Sequence, residues 1–91
     1  YIEISSIKEN SFAEKLNVFP NPTSGSLKVD LGKVHENIFV HITDEMGQTI
    51  TSSSHSNTSE IDLIIRAKAG TYYIIISNGV GQRAVLQIVK L

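Results

Sequence analysis

Apolar and polar residues alternate with a period of two along most of the chain, which is the spacing of a half-buried β-strand. The clearest example is residues 26–31, in which Leu27, Val29 and Leu31 alternate with three polar residues. No stretch carries the spacing of a helix longer than about one turn. The pattern therefore predicts an all-β protein, with further strands over residues 16–20, 38–43, 49–53, 61–65 and 71–77.

The last predicted strand, residues 83–90, is partly apolar on both faces, so the pattern leaves open which face meets the core. The strand over residues 71–77 is also apolar on both faces, which indicates either a central strand or an outer face that meets something else. In the last strand the residues of one face are Ala84, Leu86 and Ile88, and those of the other are Val85, Gln87 and Val89.

Turn-forming residues separate the predicted strands. Asp44 and Gly47 fit the first and the left-handed positions of a type I turn with a G1 bulge. Gly32 is expected to end a strand, with a polar loop over residues 33–37 and a second exposed loop over residues 52–59. Further turns are predicted around Gly70 and over residues 78–81. About seven short strands joined in this way predict an antiparallel β-sandwich, with a small closed barrel as the alternative.

Both prolines of the chain lie in one short segment, Pro20-Asn21-Pro22. Each proline fixes φ at about −65°, lacks an N–H and favours extended geometry in the residue before it, so this segment is not helical. Asn21 and Thr23 can bond to nearby backbone groups, and Gly25 can adopt a positive φ. We therefore predict an extended strand that ends in a tight turn, with regular β-structure directly after it.

Residues 1–15 mix polar and scattered apolar side chains and are predicted to be a linker from an upstream domain. A short strand around Ile2 and Ile4, or a helical turn capped by Ser11, are the alternatives. The chain begins at Tyr1 and lacks the pattern of a signal peptide, so we expect a fragment from the C-terminal end of a larger protein. Residues 16–91 are then one domain.

Composition narrows the classes of function. The formal net charge of −1 and the lack of a basic block argue against nucleic-acid binding. The chain has no cysteine, which removes disulfides and thiol nucleophiles. Its longest apolar runs, residues 63–65 and 72–76, fall far short of the ~20 residues of a membrane helix. We therefore expect neither a nucleic-acid partner nor a membrane span.

The sequence offers no constellation for catalysis. His35, His41 and His55 have no metal-ligand spacing and are expected to be surface side chains. Glu60 and Asp62 alternate with apolar residues and are interpreted as a solvated strand face. No serine lies in a nucleophile elbow, and no glycine cluster has the form of a phosphate-binding turn. We predict that the protein is not an enzyme and has no metal or cofactor.

Four blocks follow one another in an order that is more specific than any single residue. They are the segment 18–25 around Pro20-Asn21-Pro22, the strand and turn over residues 40–48, the corner over residues 69–74, and a terminal strand that ends at Leu91. Together they resemble the C-terminal sorting domain of the type IX (Por) secretion system of Bacteroidetes, over about residues 7–91. Phe19 stands where tyrosine is frequent in that family, and residues 73–76 lack a basic residue that is often present.

The resemblance implies an immunoglobulin-like sandwich that acts as a non-enzymatic signal at the C-terminus of a secreted or cell-surface protein. It implies passage through the periplasm and the type IX translocon, which carries the cargo across the outer membrane. It also implies cleavage or surface attachment by a sortase-like surface protease. The residues that match the family motifs are Pro20, Asn21, Pro22, Gly25, Gly47, Gly70, Tyr72, Val85, Leu86, Ile88, Val89 and Lys90.

A signal that is read after folding needs an accessible element, and a terminal strand at a sheet edge offers unpaired backbone groups or a side-chain face. We hypothesise that residues 85–91, with the free carboxylate, are that element. The simpler alternative is that this strand only completes the sandwich. A different class of function is an accessory adhesion or carbohydrate-binding module, but the chain lacks tryptophan and its tyrosines form no evident platform. A pure structural spacer is a third possibility.

Overall fold

The computed structural model describes residues 15–91, which form a single antiparallel sheet folded into two layers. The predicted linker over residues 1–15 lies outside the described residues, apart from Lys15. The described part contains five strands, which are β1 (Asn17–Phe19), β2 (Ser26–Asp44), β3 (Thr49–Ile64), β4 (Gly70–Asn78) and β5 (Arg83–Lys90).

Two long strands, β2 and β3, pass from one layer to the other and pair with each other on both sides of the bend. In the first layer, residues 26–30 of β2 lie between β1 and the end of β3. In the second layer, residues 38–44 of β2 lie between the start of β3 and β4, and β5 follows β4. The first layer is therefore three-stranded and the second four-stranded.

One apolar core fills the space between the layers. Alternate residues of each strand contribute to it, as the period-two pattern predicted. Nine of the larger side chains of this core, including Ile42 and Ile74, are less than 2% exposed, as is Thr23. The buried hydrophobic residues are Leu16, Leu27, Val29, Leu31, Ile38, Val40, Ile42, Ile61, Leu63, Ile65, Tyr72, Ile74, Ile76, Ala84 and Ile88.

The predicted fold class is confirmed, but the count of about seven strands and two of the predicted loops are wrong. Gly32 and residues 33–37 lie within β2, and residues 52–59 lie within β3. These polar stretches remain strands because each keeps pairing with the other across the bend, where the register shifts between Asp30 and His35. A polar strand whose side chains face water has no alternating burial, so it looks like a loop in the sequence.

The two hairpin turns are built in the same way. Asp44 accepts hydrogen bonds through Oδ1 from the N–H groups of Met46 and Gln48, at 2.9 Å each. Asn78 does the same for Val80 and Gln82, at 3.1 and 3.0 Å. Each turn also has a backbone bond from a glycine N–H to the carbonyl of its first residue. The predicted turns at residues 44–47 and 78–81 are confirmed.

Candidate functional site at the last strand

The Pro20-Asn21-Pro22 segment crosses from the first layer to the free edge of β5. The Asn21 side chain donates through Nδ2 to the carbonyl of Gln87, at 3.1 Å, and accepts from the N–H of Val89 through Oδ1, at 3.0 Å. These bonds join residues 66 and 68 positions apart in the chain. Two blocks that are distant in the sequence therefore lie side by side. We call the first block the clamp, and the second is the last strand, β5.

Thr23 completes the clamp, which we define as residues 20–23. Its N–H donates to the carbonyl of Val89 at 2.9 Å, and its carbonyl accepts from the N–H of Leu91 at 2.8 Å, forming a parallel bridge with β5. The Thr23 hydroxyl donates to the carbonyl of Ser26 and accepts from the N–H of Gly25. This buried side chain therefore fixes the turn by which the chain leaves the clamp and enters β2.

Gly25 occupies a backbone conformation that glycine alone adopts easily. Its φ is +142°, and a Cβ added there would lie 3.3 Å from the carbonyl oxygen of Ile65. The Gly25 carbonyl accepts a hydrogen bond from the N–H of Ile65 at 2.8 Å, which ties the turn to the end of β3. The positive φ expected from the sequence is confirmed.

The structure decides which face of the last strand meets the core. Ala84 and Ile88 are each 1% exposed, and Leu86 packs against the core as a partly buried residue. Val85 and Val89 therefore belong to the outer face, and Val89 is 38% exposed. Of the residues that match the family motifs in this strand, only these two valines present an apolar side chain to the outside.

The outer face of the second layer carries an apolar patch beside the last strand. Val85 is paired in register with Ile75 on β4, and Ile75 is paired with His41 on β2. Phe39 lies on the same face two residues before His41 and is 48% exposed. We call Phe39, Ile75 and Val85 the outer patch.

The remaining motif residues lie away from the clamp. Gly47 is in the exposed turn between β2 and β3, with a φ of +85°. Gly70 begins β4 and is paired with Lys90 at the end of β5. Tyr72 is 3% exposed and its hydroxyl donates to the carbonyl of Lys68 at 2.6 Å. That bond is the tyrosine corner of immunoglobulin-like folds, so Tyr72 acts inside the domain rather than at its surface.

The polar side chains of the described residues do not converge on a centre for chemistry. Residues 15–91 contain no group of three or more histidine or acidic residues that could hold a metal ion. His41 Nε2 lies 2.9 Å from the hydroxyl of Thr49, and His55 Nε2 lies 2.9 Å from that of Ser53. Within the same residues, no helix has the length and hydropathy required to span a bilayer.

The carboxylates and the surface grooves of the described residues also form no centre for chemistry. Lys28 contacts Glu60 and Asp62 at 3.3 and 3.5 Å on the outer face of the first layer, and these exposed partners raise the pKa of its amine. A shallow groove of about 450 Å³ lies between the bend of β2 and the β4–β5 turn. A second, of about 520 Å³, lies over Phe39 and Ile75 on the outer face. Both are open surface features.

The first described residue, Lys15, and the last, Leu91, lie at different ends of the domain. Lys15 lies against Gly32 at the bend of β2, since a Cβ added to this glycine would meet Lys15 Cβ at 2.8 Å. From there β1 and the clamp run to Thr23, beside Lys90 and Leu91. The extended chain from Asn17 to Thr23 covers roughly 20 Å. Lys15 and Leu91 are therefore at opposite ends of the sandwich.

Sequence reasoning placed Asn21 and Thr23 in a turn but missed their partners. Local hydrogen bonds were expected for both, whereas their bonds to β5 cross most of the chain. No pattern within the segment reveals such a distant contact. The one signal was a short polar residue between two prolines. The prolines lack the N–H groups that strand pairing needs, so the asparagine side chain can form the hydrogen bonds instead.

Comparison with known proteins identifies the chain's relatives. A family model described as a secretion system C-terminal sorting domain matches residues 17–90. No curated protein matches the chain significantly. Among solved structures, the fold is similar to the crystal structure of a DUF3244 family protein with an immunoglobulin-like β-sandwich fold from Bacteroides vulgatus. That match has a TM-score of 0.73 at 16% sequence identity and covers 85% of each chain, which establishes the fold.

Proposed function

Because the chain belongs to the family of type IX secretion system C-terminal sorting domains, we propose that it directs a cargo protein through the type IX translocon and across the outer membrane. The role is non-enzymatic: the folded domain is a signal that the secretion machinery binds. Membership in the family implies a secreted or cell-surface protein. The route runs through the periplasm, where the domain folds before it is read.

The observation that carries the proposal is the joining of the clamp to the last strand. Asn21 and Thr23 make four hydrogen bonds to Gln87, Val89 and Leu91. The proline segment therefore holds the last strand in place rather than acting as a separate signal. Gly25 supports the turn behind the clamp, while Ile88 anchors the strand in the core. This leaves Val85, Val89 and Lys90 for contact with a partner.

We assign the other motif residues to the frame of the domain. Gly47 and Gly70 occupy a turn and the start of a strand, and Tyr72 closes the corner between β3 and β4. A substitution at these positions acts on export through folding. Residues 1–15 form the linker to an upstream cargo domain, and residues 16–91 form the sorting domain. A sortase-like surface protease then acts at the linker, which joins the cargo to the sorting domain.

Export of a reporter tests whether the outer face of the last strand is read. A fluorescent protein targeted to the periplasm is fused to residues 1–91 in a bacterium with an intact type IX system. The double variant Val85→Ser, Val89→Ser removes two apolar side chains from the outer face but leaves Ala84, Leu86 and Ile88 in place. Loss of about 1 kcal/mol of apolar contact per side chain predicts a decrease in export of roughly tenfold or more.

Ile64→Ser is the matched control, because Ile64 is 50% exposed on the outer face of the opposite layer. Its export should equal that of the original fusion. The stability of each purified domain is measured alongside, so that unfolding is separated from loss of recognition. Full export of a folded Val85→Ser, Val89→Ser variant would contradict the assignment of the last strand as the element that is read.

A further inference from the structure

The clamp covers only the second half of the free edge of β5. On the outward side of this half, the carbonyls of Gln87 and Val89 accept hydrogen bonds from Asn21 and Thr23, and the N–H groups of Val89 and Leu91 donate to Asn21 and Thr23. Within residues 15–91, no strand or bridge pairs with this side of residues 83–86, since β5 pairs only with β4 and bridges only to Thr23. One half of the last strand is therefore a closed edge and the other half is open.

The alternating direction of backbone groups along β5 identifies which N–H and carbonyl groups of the open half point away from β4. Val89 directs both its N–H and its carbonyl away from β4, toward the clamp. Because alternate residues of an antiparallel strand face the same side and the β4–β5 register is regular, Val85 directs its N–H and carbonyl outward as well. The Gln87 N–H and the backbone groups of Arg83 share this direction.

The open half lacks the features that protect exposed strand edges. It contains no proline, no bulge and no charged side chain that points inward. Val85 belongs to the outer patch on one face, and Leu86 packs against the core on the other. Arg83 is exposed at its start and makes no ion pair with residues 15–91.

The other edges of the sandwich are protected. Within residues 15–91 no strand pairs with the outer side of β3, but residues 51–59 are polar and mostly exposed, and Asn57 departs from regular strand geometry with a φ of +50°. The edge of β1 is three residues long and is followed by the two prolines. Residues 83–87 are thus the least protected edge within residues 15–91, and the one on which an extended chain can be added.

We propose that a strand of a partner protein pairs with residues 83–87 of β5, adding a strand to the second layer next to the clamp. The partner strand has apolar side chains at two successive positions, one to cover Val85 on the outer face and one to cover Leu86 on the core side, and an acidic side chain opposite Arg83. Main-chain hydrogen bonds give such strand addition its affinity, and the side-chain positions give its specificity. This inference rests on the proposed function and names how the last strand is read.

The structure itself shows that this edge accepts an added segment. Thr23 already pairs with β5 in the parallel direction through two hydrogen bonds. The clamp ends pairing at Gln87, so a partner strand beside Val85 continues along an edge whose backbone is already fixed. Charge supports the same occupant, because the exposed Arg83 forms no ion pair with the described residues.

Val85→Pro, in the reporter fused to residues 1–91, tests the proposal directly. Proline removes the outward N–H and blocks the edge, while the ladder bonds to β4, which come from the neighbouring residues, are kept. Export in the type IX-competent strain should fall roughly tenfold or more, since a main-chain hydrogen bond is lost and the added strand is displaced. Val85→Ala, which removes the side chain and keeps the N–H, should lose less.

Ser54→Pro is the matched control on the unused edge. The same alternation, carried across β4 and β2, places the Ser54 N–H on the outer side of β3. Its export should match that of the original fusion. Export of Val85→Pro at the original level overturns the proposal. If the original fusion is itself not exported, the proposed function fails instead, and the two failures are thereby distinguished.

Two further measurements keep the proposal open to refutation if Val85→Pro does not fold. Arg83→Glu leaves the backbone intact and should also reduce export roughly tenfold, through repulsion of the partner's acidic side chain; unchanged export overturns the proposal. Hydrogen exchange on free residues 1–91 should show a fast Val85 amide. A slowly exchanging Val85 amide would mean that the edge is already covered. If the exchange rate does not depend on protein concentration, residues 1–14 cover it; if it does, a second copy of the chain covers it. Either result overturns the proposal.

Discussion

Asn21 is the residue that links the proline segment to the last strand. One amide side chain serves a carbonyl and an N–H on β5, two residues apart, as a neighbouring strand would. The side chain must carry a donor and an acceptor on two separate atoms, which excludes lysine and alanine and distinguishes asparagine from serine, whose single oxygen has both roles. The identity of the residue between the prolines is therefore explained by its bonds across the sandwich.

Asn21→Ala should lower the free energy of unfolding by about 1–2 kcal/mol, because two hydrogen bonds are lost. The Val89 amide should also exchange faster with solvent. Denaturant unfolding and hydrogen exchange measure the two effects. Asn17→Ala is the control, because Asn17 is exposed on β1 and its side chain forms no hydrogen bond with residues 15–91. Equal stability of the two variants would contradict the clamp.

Gly25→Ala should cost more than Gly47→Ala, although both glycines have positive φ. At Gly25 the added methyl group meets the carbonyl of Ile65 and the φ of +142° is outside the regions open to alanine, so we expect about 2–3 kcal/mol. At Gly47, with a φ of +85° and nothing within 4 Å of the added carbon, about 1 kcal/mol is expected. Midpoints of chemical denaturation give the order, and a reversed order would be inconsistent with the turn described.

At the scale of elements, the long strands β2 and β3 make the fold by bending from one layer to the other. Their apolar halves could be predicted, since residues 26–31 and 61–65 alternate in burial as expected. Their polar bends could not, because pairing between two exposed segments leaves no trace in the pattern of apolar residues. The faces of β5 stayed undecided for a related reason: both faces carry apolar residues, since Val85 on the outer face is paired with Ile75 of β4.

The bend of β2 should make stability depend on pH through His35. Partial burial, with a smaller effect of Lys33, lowers the pKa of His35 below its ordinary value of 6.5. The unfolded chain therefore binds a proton more readily as the pH falls through about 6.5, and the folded domain loses stability there.

His35→Asn should remove this part of the loss between about pH 6.5 and 5, while His41 and His55 remain common to both proteins. The unfolding midpoint in urea, measured at several pH values for both proteins, isolates the contribution of His35. The same dependence on pH with and without His35 would show that its protonation is not disfavoured by folding.

At the scale of the whole molecule, the first described residue, Lys15, and the end of the last strand lie at opposite ends of the sandwich. Lys15 lies at the bend of β2, and Leu91 lies beside the clamp at the opposite end. A partner can therefore bind the last strand without contacting Lys15. The fold class and the family could both be inferred from the sequence, because the strands and the order of the motif blocks are local features. The clamp required the structure.

The most direct measurement is the fraction of reporter exported when residues 1–91 are fused to a periplasmic fluorescent protein, in an intact type IX strain and in a translocon-deficient one. We predict extracellular reporter in the first strain and periplasmic reporter in the second. Retention of a folded, intact fusion in both strains would contradict the account and favour an accessory adhesion or carbohydrate-binding module.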